Sequence, residues 1–155
     1  MTKSKTTSKI QKQGKKSVPT KRAKTSIIRK AGSTNKKVDS SQTSIIKIKL
    51  TGKGGHGSTP HKIIDPISGA MQVFEALHTI MSRNIDSSKD VVIMIGRVQS
   101  GSIYNVFPDD AFLEGQFKTF DKATHALIEK RIREIVINTA AAMECKSEVE
   151  ISPKA

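Results

Sequence analysis

Three observations predict an α+β fold, a four-stranded antiparallel sheet with two helices on one face. First, a half-buried strand pattern begins at residue 44, where Ile46, Ile48 and Leu50 alternate with lysines. Second, two amphipathic helix patterns begin at capping aspartates, Asp65 and Asp121. Third, the elements follow one another as strand, helix, strand, strand, helix, strand. Right-handed crossovers close that order into a ferredoxin-like sandwich.

Each element has its own warrant. The strand at 44–50 runs into a glycine-rich stretch, Thr51 to His61, that carries two histidines and a proline. Asp65-Pro66 then starts a helix, with Asp at the cap and Pro at the first helical position. Ile67, Ala70, Phe74, Leu77 and Met81 recur at spacings of three and four, which predicts one apolar face over 66–81. The run Val91 to Ile95 is continuously apolar and reads as a strand reaching about Gln99. Ser100-Gly101-Ser102 turns the chain towards a third strand at 111–120. There Phe112, Glu114, Gln116 and Lys118 alternate with Leu113, Gly115, Phe117 and Thr119. Asp121 caps the second helix, on which Ile128, Ile132, Ile135, Val136, Ala140 and Met143 share a face. A short strand, 147–152, stops at Pro153. This plan closes within residues 44–153 and leaves nothing over for another domain.

Charge divides the chain unevenly. Residues 1–44 hold 13 Lys or Arg and one acid, Asp39, whereas the remainder is nearly neutral. The high isoelectric point therefore belongs to a tail, residues 1–43, whose few aliphatics cannot offset the entropy of ordering it. Such a tail is expected to be disordered and to make weak polyanion contacts. With no aromatic to stack on bases, it does not read as a nucleic-acid-binding domain. The cluster from Lys15 to Lys24 leaves a nuclear or organellar address open beside the default expectation of a cytoplasmic protein. Cys145 stands alone, which excludes a disulfide framework within one chain. No apolar run approaches the roughly 20 residues that cross a membrane.

The glycine-rich stretch is the candidate site. Gly54, Gly55 and Gly57 around His56 let the backbone take positive φ and approach a ligand closely, and they leave the imidazole clear of neighbouring side chains. Asn105 marks a second polar cluster. His78 and His125 fall on helices without partners at metal-ligand spacing and read as surface residues. No His, Asp and Glu set able to converge on paired metal ions is found.

Three stretches carry a resemblance. They are Gly52 to His61 with Asp65-Pro66, Gly101 to Asp109, and Gly115 to Asp121. In this order and spacing they resemble the dimerisation, or lid, domain of the dinuclear-zinc amidohydrolase and peptidase family, which includes aminoacylases, hippurate hydrolases, auxin-conjugate hydrolases and carboxypeptidases. The resemblance covers the whole expected folded part and none of the tail. It implies that His56 reaches across a dimer as oxyanion donor in the partner's active site. It also implies that Asn105 contacts substrate and that Lys118 takes the place of an arginine of the family pattern. Lysine cannot form arginine's flat bidentate pair with a carboxylate. His61 is expected to anchor the loop against the first helix. The resemblance places zinc or manganese in a separate catalytic domain, with no cofactor in this chain, so that the chain alone is inactive. The alternative is a non-enzymatic homodimerising module with a basic tail. Either way, a homodimer is expected through strand 91–95 and helix 66–81. That strand carries no charge or proline and would be a sheet edge, whereas the opposite edge at 147–152 alternates charges and ends in proline.

Overall fold

The computed structural model describes residues 41–155, and the expectations attached to the tail lie outside them, apart from its last residues. The chain forms strand β1 (Gln42–Thr51), a two-residue strand β2 (Gly55–His56), helix α1 (Pro66–Arg83) and strand β3 (Val92–Ser100). A second two-residue strand β4 (Val106–Phe107), strand β5 (Asp110–Thr119), helix α2 (Lys122–Ala142) and strand β6 (Lys146–Pro153) follow. The main sheet has the order β3-β5-β1-β6, and every pairing in it is antiparallel. This is the expected sandwich, with β3 and β6 at the edges.

β1 starts earlier than the charge boundary suggested. Gln42 and Thr43 already pair with Thr119 and Lys118, and the Thr43 carbonyl accepts the Lys154 N–H at 2.9 Å. Two polar residues join the strand because backbone pairing, not side-chain polarity, decides where a central strand begins.

The core lies between the sheet and the helices. Ile46, Ile48 and Leu50 from β1 meet Leu113 and Phe117 from β5. Ala70, Val73, Leu77 and Ile80 from α1 and Ile128, Ile132, Val136 and Ala140 from α2 complete it. The α1 face differs from the expected one. Ala70 and Leu77 are buried, but Ile67 and Met81 are exposed and Phe74 is half-buried. Both rows obey spacings of three and four, so periodicity alone does not separate them. Docking onto the sheet buries one row, with Phe74 packed at its margin, and leaves Ile67, Met71 and Met81 as a second, outward stripe.

Both helix starts follow the caps read from sequence. Asp65 accepts the Ile67 N–H at 2.9 Å, and Asp121 accepts the Thr124 N–H at 2.9 Å. The Thr124 N–H and hydroxyl and the Lys89 ammonium hold the Asp121 carboxyl below its ordinary range. His125 is not the surface residue expected. It is half-buried, with Nε2 3.0 Å from Ser44 Oγ, Nδ1 2.9 Å from Thr119 Oγ1, and its ring 4.5 Å from that of Phe117. It thereby satisfies two hydroxyls that the core edge would otherwise strand. His78 is exposed as expected, its Nδ1–H donating to the Phe74 carbonyl at 2.8 Å.

Candidate functional site

The site is assembled from a strap, Gly52–Gly57, laid between two other segments. On one side Lys53 exchanges backbone hydrogen bonds with Ile64, at 2.9 and 3.0 Å. On the other, Gly52 donates to the Asp109 carbonyl and Gly54 donates to Asp109 Oδ1, each at 2.8 Å. Then β2 pairs with β4, setting His56 opposite Val106, and the Gly57 N–H donates to the Asn105 carbonyl at 3.0 Å. The two sequence clusters, around His56 and around Asn105, thus become one surface.

The glycines serve this packing, not the positive φ expected of them. Among the described glycines only Gly101 has φ in the left-handed region, at 65°. At Gly52 a Cβ would lie 2.2 Å from the Ile64 oxygen, and at Gly54 it would lie 2.5 Å from the Phe107 oxygen. The strap is glycine-rich because protein backbone, rather than ligand, approaches it on both sides.

His56 is exposed, and its chemistry is set by its neighbours. The Ser58 backbone N–H lies 3.2 Å from Nδ1, and a backbone N–H can only donate, so Nδ1 is the acceptor. The Ser58 hydroxyl, 2.8 Å away, donates to the same atom. In the neutral ring the proton therefore sits on Nε2, which is left to donate to a group from outside. Asn105 is exposed and its side-chain amide makes no hydrogen bond among the described residues, so it too is available. Beside them the turn 100–107, Gly57 and Ile67 of α1 line an open pocket of about 390 Å³.

Lys118 is not brought to this surface within one chain. It lies near the far end of β5, opposite Thr43 and Val92, with its ammonium 5.2 Å from the Phe120 ring centroid. It lies eight positions along the strand from Asp110, roughly 27 Å at about 3.4 Å per position. His61 does not anchor the loop. Its ring is exposed in the short 3₁₀ turn Pro60–Lys62, which buries no residue, and it has no hydrogen bond among the described residues. Ile64, paired with Lys53 and packed on the core, does the anchoring instead. Cys145 is buried, and burial, followed by the Asp65 and Glu144 carboxylates, pushes its thiol above the ordinary range. That is the setting of an inert packing cysteine.

No group of three or more His, Cys, Asp and Glu converges among the described residues where a metal ion could be held. The residues of this site therefore do not fit a dinuclear metal centre. No described helix is long and apolar enough to cross a membrane. Asp109 and Ser58 were not singled out from sequence. Asp109 lies within a matching stretch, but its role depends on a ribbon too short to leave a periodic signal.

Comparisons with known proteins agree with this architecture. A family model described as a peptidase dimerisation domain matches residues 45–144. The N-acetyl-L-cysteine deacetylase of Bacillus subtilis is 36% identical over 104 residues, covering 67% of this chain and 25% of that protein. The N-acetyldiaminopimelate deacetylase of Brevibacillus brevis is 34% identical over 108 residues, covering 70% and 29%. The chain thus spans less than a third of the length of these curated relatives. Among solved structures, an aminohydrolase assignment from methicillin-resistant Staphylococcus aureus superposes with a TM-score of 0.71 at 30% identity, covering 74% of this chain and 29% of that one. A Bacillus subtilis dinuclear metal-binding peptidase of the M20 family gives 0.56 at 27% identity, covering 73% and 26%.

Proposed function

Because the chain belongs to the peptidase dimerisation domain family, we propose that it acts as a self-associating lid for an amidohydrolase, lending His56 to an active site built elsewhere. The observation that carries this reading is the paired exposure of His56 and Asn105 on one surface, with the His56 Nε2–H free to donate. A fixed donor of that kind suits the oxyanion that forms as water attacks the carbonyl of an N-acyl amino acid or a peptide. The side-chain amide of Asn105 can donate and accept, and so can hold the substrate beside it.

The lid acts as a homodimer on this reading. The outer edge of β3 is unpaired among the described strands, and its first half is apolar. α1 packs over β5 and β3, whereas α2 packs chiefly over β6, so α1 is the helix on the β3 side of the sheet. A second copy joined antiparallel along β3 would make one eight-stranded sheet and let the two α1 stripes meet. That pairing also gives Lys118 a place. It sits opposite Val92, and antiparallel pairing lays the partner's Ser100 end, with the loops beyond it, beside the Val92 end. His56 and Asn105 from one copy and Lys118 from the other would then line one cleft, where the ammonium would meet an anionic part of the substrate.

The test is a chimera in which residues 45–144 replace the corresponding domain of the Bacillus subtilis N-acetyl-L-cysteine deacetylase. His56→Ala in that chimera is expected to lower kcat about 10²–10³-fold while changing KM little, as for loss of one oxyanion donor. An active chimera indifferent to His56→Ala overturns the assignment.

A further inference from the structure

Asp109 is exposed and makes no ion pair among the described residues, yet both its backbone and its carboxylate are committed to one short segment. Its carbonyl accepts from Gly52 and its Oδ1 accepts from Gly54, so it grips the strap on either side of Lys53. His56 follows two residues after Gly54, and Asn105 precedes Asp109 by four. Both site residues hang from this grip. We propose that Asp109 is a positioning residue, a clasp that fixes the His56 loop in register against the Asn105 loop.

What holds the two loops together otherwise is slight. β2 and β4 contribute two residue pairs, and Gly57 adds one bond to the Asn105 carbonyl. A ribbon of that size does not hold its register unaided in water. An ionised carboxylate is a stronger acceptor than a neutral one, and here it meets a backbone N–H at 2.8 Å. The close approach needs the missing side chain of Gly54, since a Cβ there would stand 3.0 Å from Asp109 Oδ1. Glycine and aspartate are therefore two halves of one device. The clasp gives His56 a fixed aim, which a donor directed at developing charge requires.

This inference rests on the proposed roles of His56 and Asn105, and its test is kept separate from them. Amide hydrogen exchange, read by NMR on the full chain, compares Asp109→Ala and Asp109→Asn with the parent. In Asp109→Ala the Gly54 and Gly57 amides are expected to exchange at least about tenfold faster, with Ile48 and Leu113 in the central strands unchanged. Asp109→Asn keeps an acceptor oxygen in the same place and is expected to restore most of the protection. Nuclear Overhauser effects between the backbones of His56 and Val106, which are paired across the ribbon, should weaken in the alanine variant and return in the asparagine variant. Unchanged Gly54 exchange in Asp109→Ala overturns the clasp. So does uniform acceleration across the sheet, which would make Asp109 a general stability residue, or an asparagine variant as loose as the alanine one. The exchange data judge the clasp alone, whereas a chimera indifferent to His56 sinks only the oxyanion reading.

Discussion

The outward-facing donor of His56 is set by groups that are not themselves reactive. Ser58 occupies Nδ1, which leaves Nε2–H as the outward donor, and the strap holds the ring beside Asn105. Glycine matters here by what it lacks. Gly54→Ala would bring a methyl group to 2.5 Å from the Phe107 oxygen, a contact that neither backbone can relieve without moving. We expect a loss of about 1–3 kcal/mol, concentrated in the strap. Thermal unfolding with amide exchange at Gly57 would measure it. A variant with the parent's melting temperature and the parent's Gly57 protection would show that the strap has slack.

Among the elements, α1 and β3 face two ways. α1 buries Ala70, Val73, Leu77 and Ile80 in its own core while Met71 and Met81 remain 41% and 44% exposed. β3 likewise turns Ile93 and Ile95 to the core and leaves Val92 and Met94 largely open. A bulge at Gly96 shifts its register between Ile95 and Arg97. Bulges are one means of twisting an edge away from unwanted strands, so pairing through β3 is expected to be specific rather than open-ended. Met71→Lys combined with Met81→Lys places two ammonium groups in the outward stripe and touches none of the buried row. The expected result in sedimentation is a monomer with an unchanged far-ultraviolet circular dichroism spectrum, against a dimer for the parent. A parent chain that stays monomeric at about 100 μM removes the dimer.

For the molecule as a whole, the central question is what the domain can do unaided. On the lid reading the domain would supply a donor and substrate contacts, with the nucleophile coming from elsewhere. We expect the purified chain to hydrolyse neither N-acetyl amino acids nor dipeptides, with or without added zinc or manganese. Metal-dependent turnover that is abolished by a chelator would overturn this and would require ligands the described residues do not bring together. The same turnover in a mixture with a catalytic domain, and only there, is the outcome the lid reading expects.

Much of this molecule was legible in one dimension. The order of the six main elements, both aspartate caps and the alternation along β5 follow from local periodicity and capping chemistry, which act within a few residues. The edge positions of β3 and β6 follow from that order and from where charge and proline fall. The meeting of His56 with Asn105 was implied by resemblance but not by spacing. Only the tertiary structure decided which of two equivalent rows on α1 is core and that His125 bridges Ser44 and Thr119 instead of facing water. It also decided that His61 faces solvent and that Asp109 grips the strap. The Ser44–His125 contact joins residues 81 apart and the Asp109 grip joins residues 55 apart, and the core row of α1 rests on the choice between two faces of one helix. Backbone bonds between Gly52–Gly57 and Asn105–Asp109 leave no periodic trace in the sequence, because a single N–H looks the same whichever carbonyl it finds.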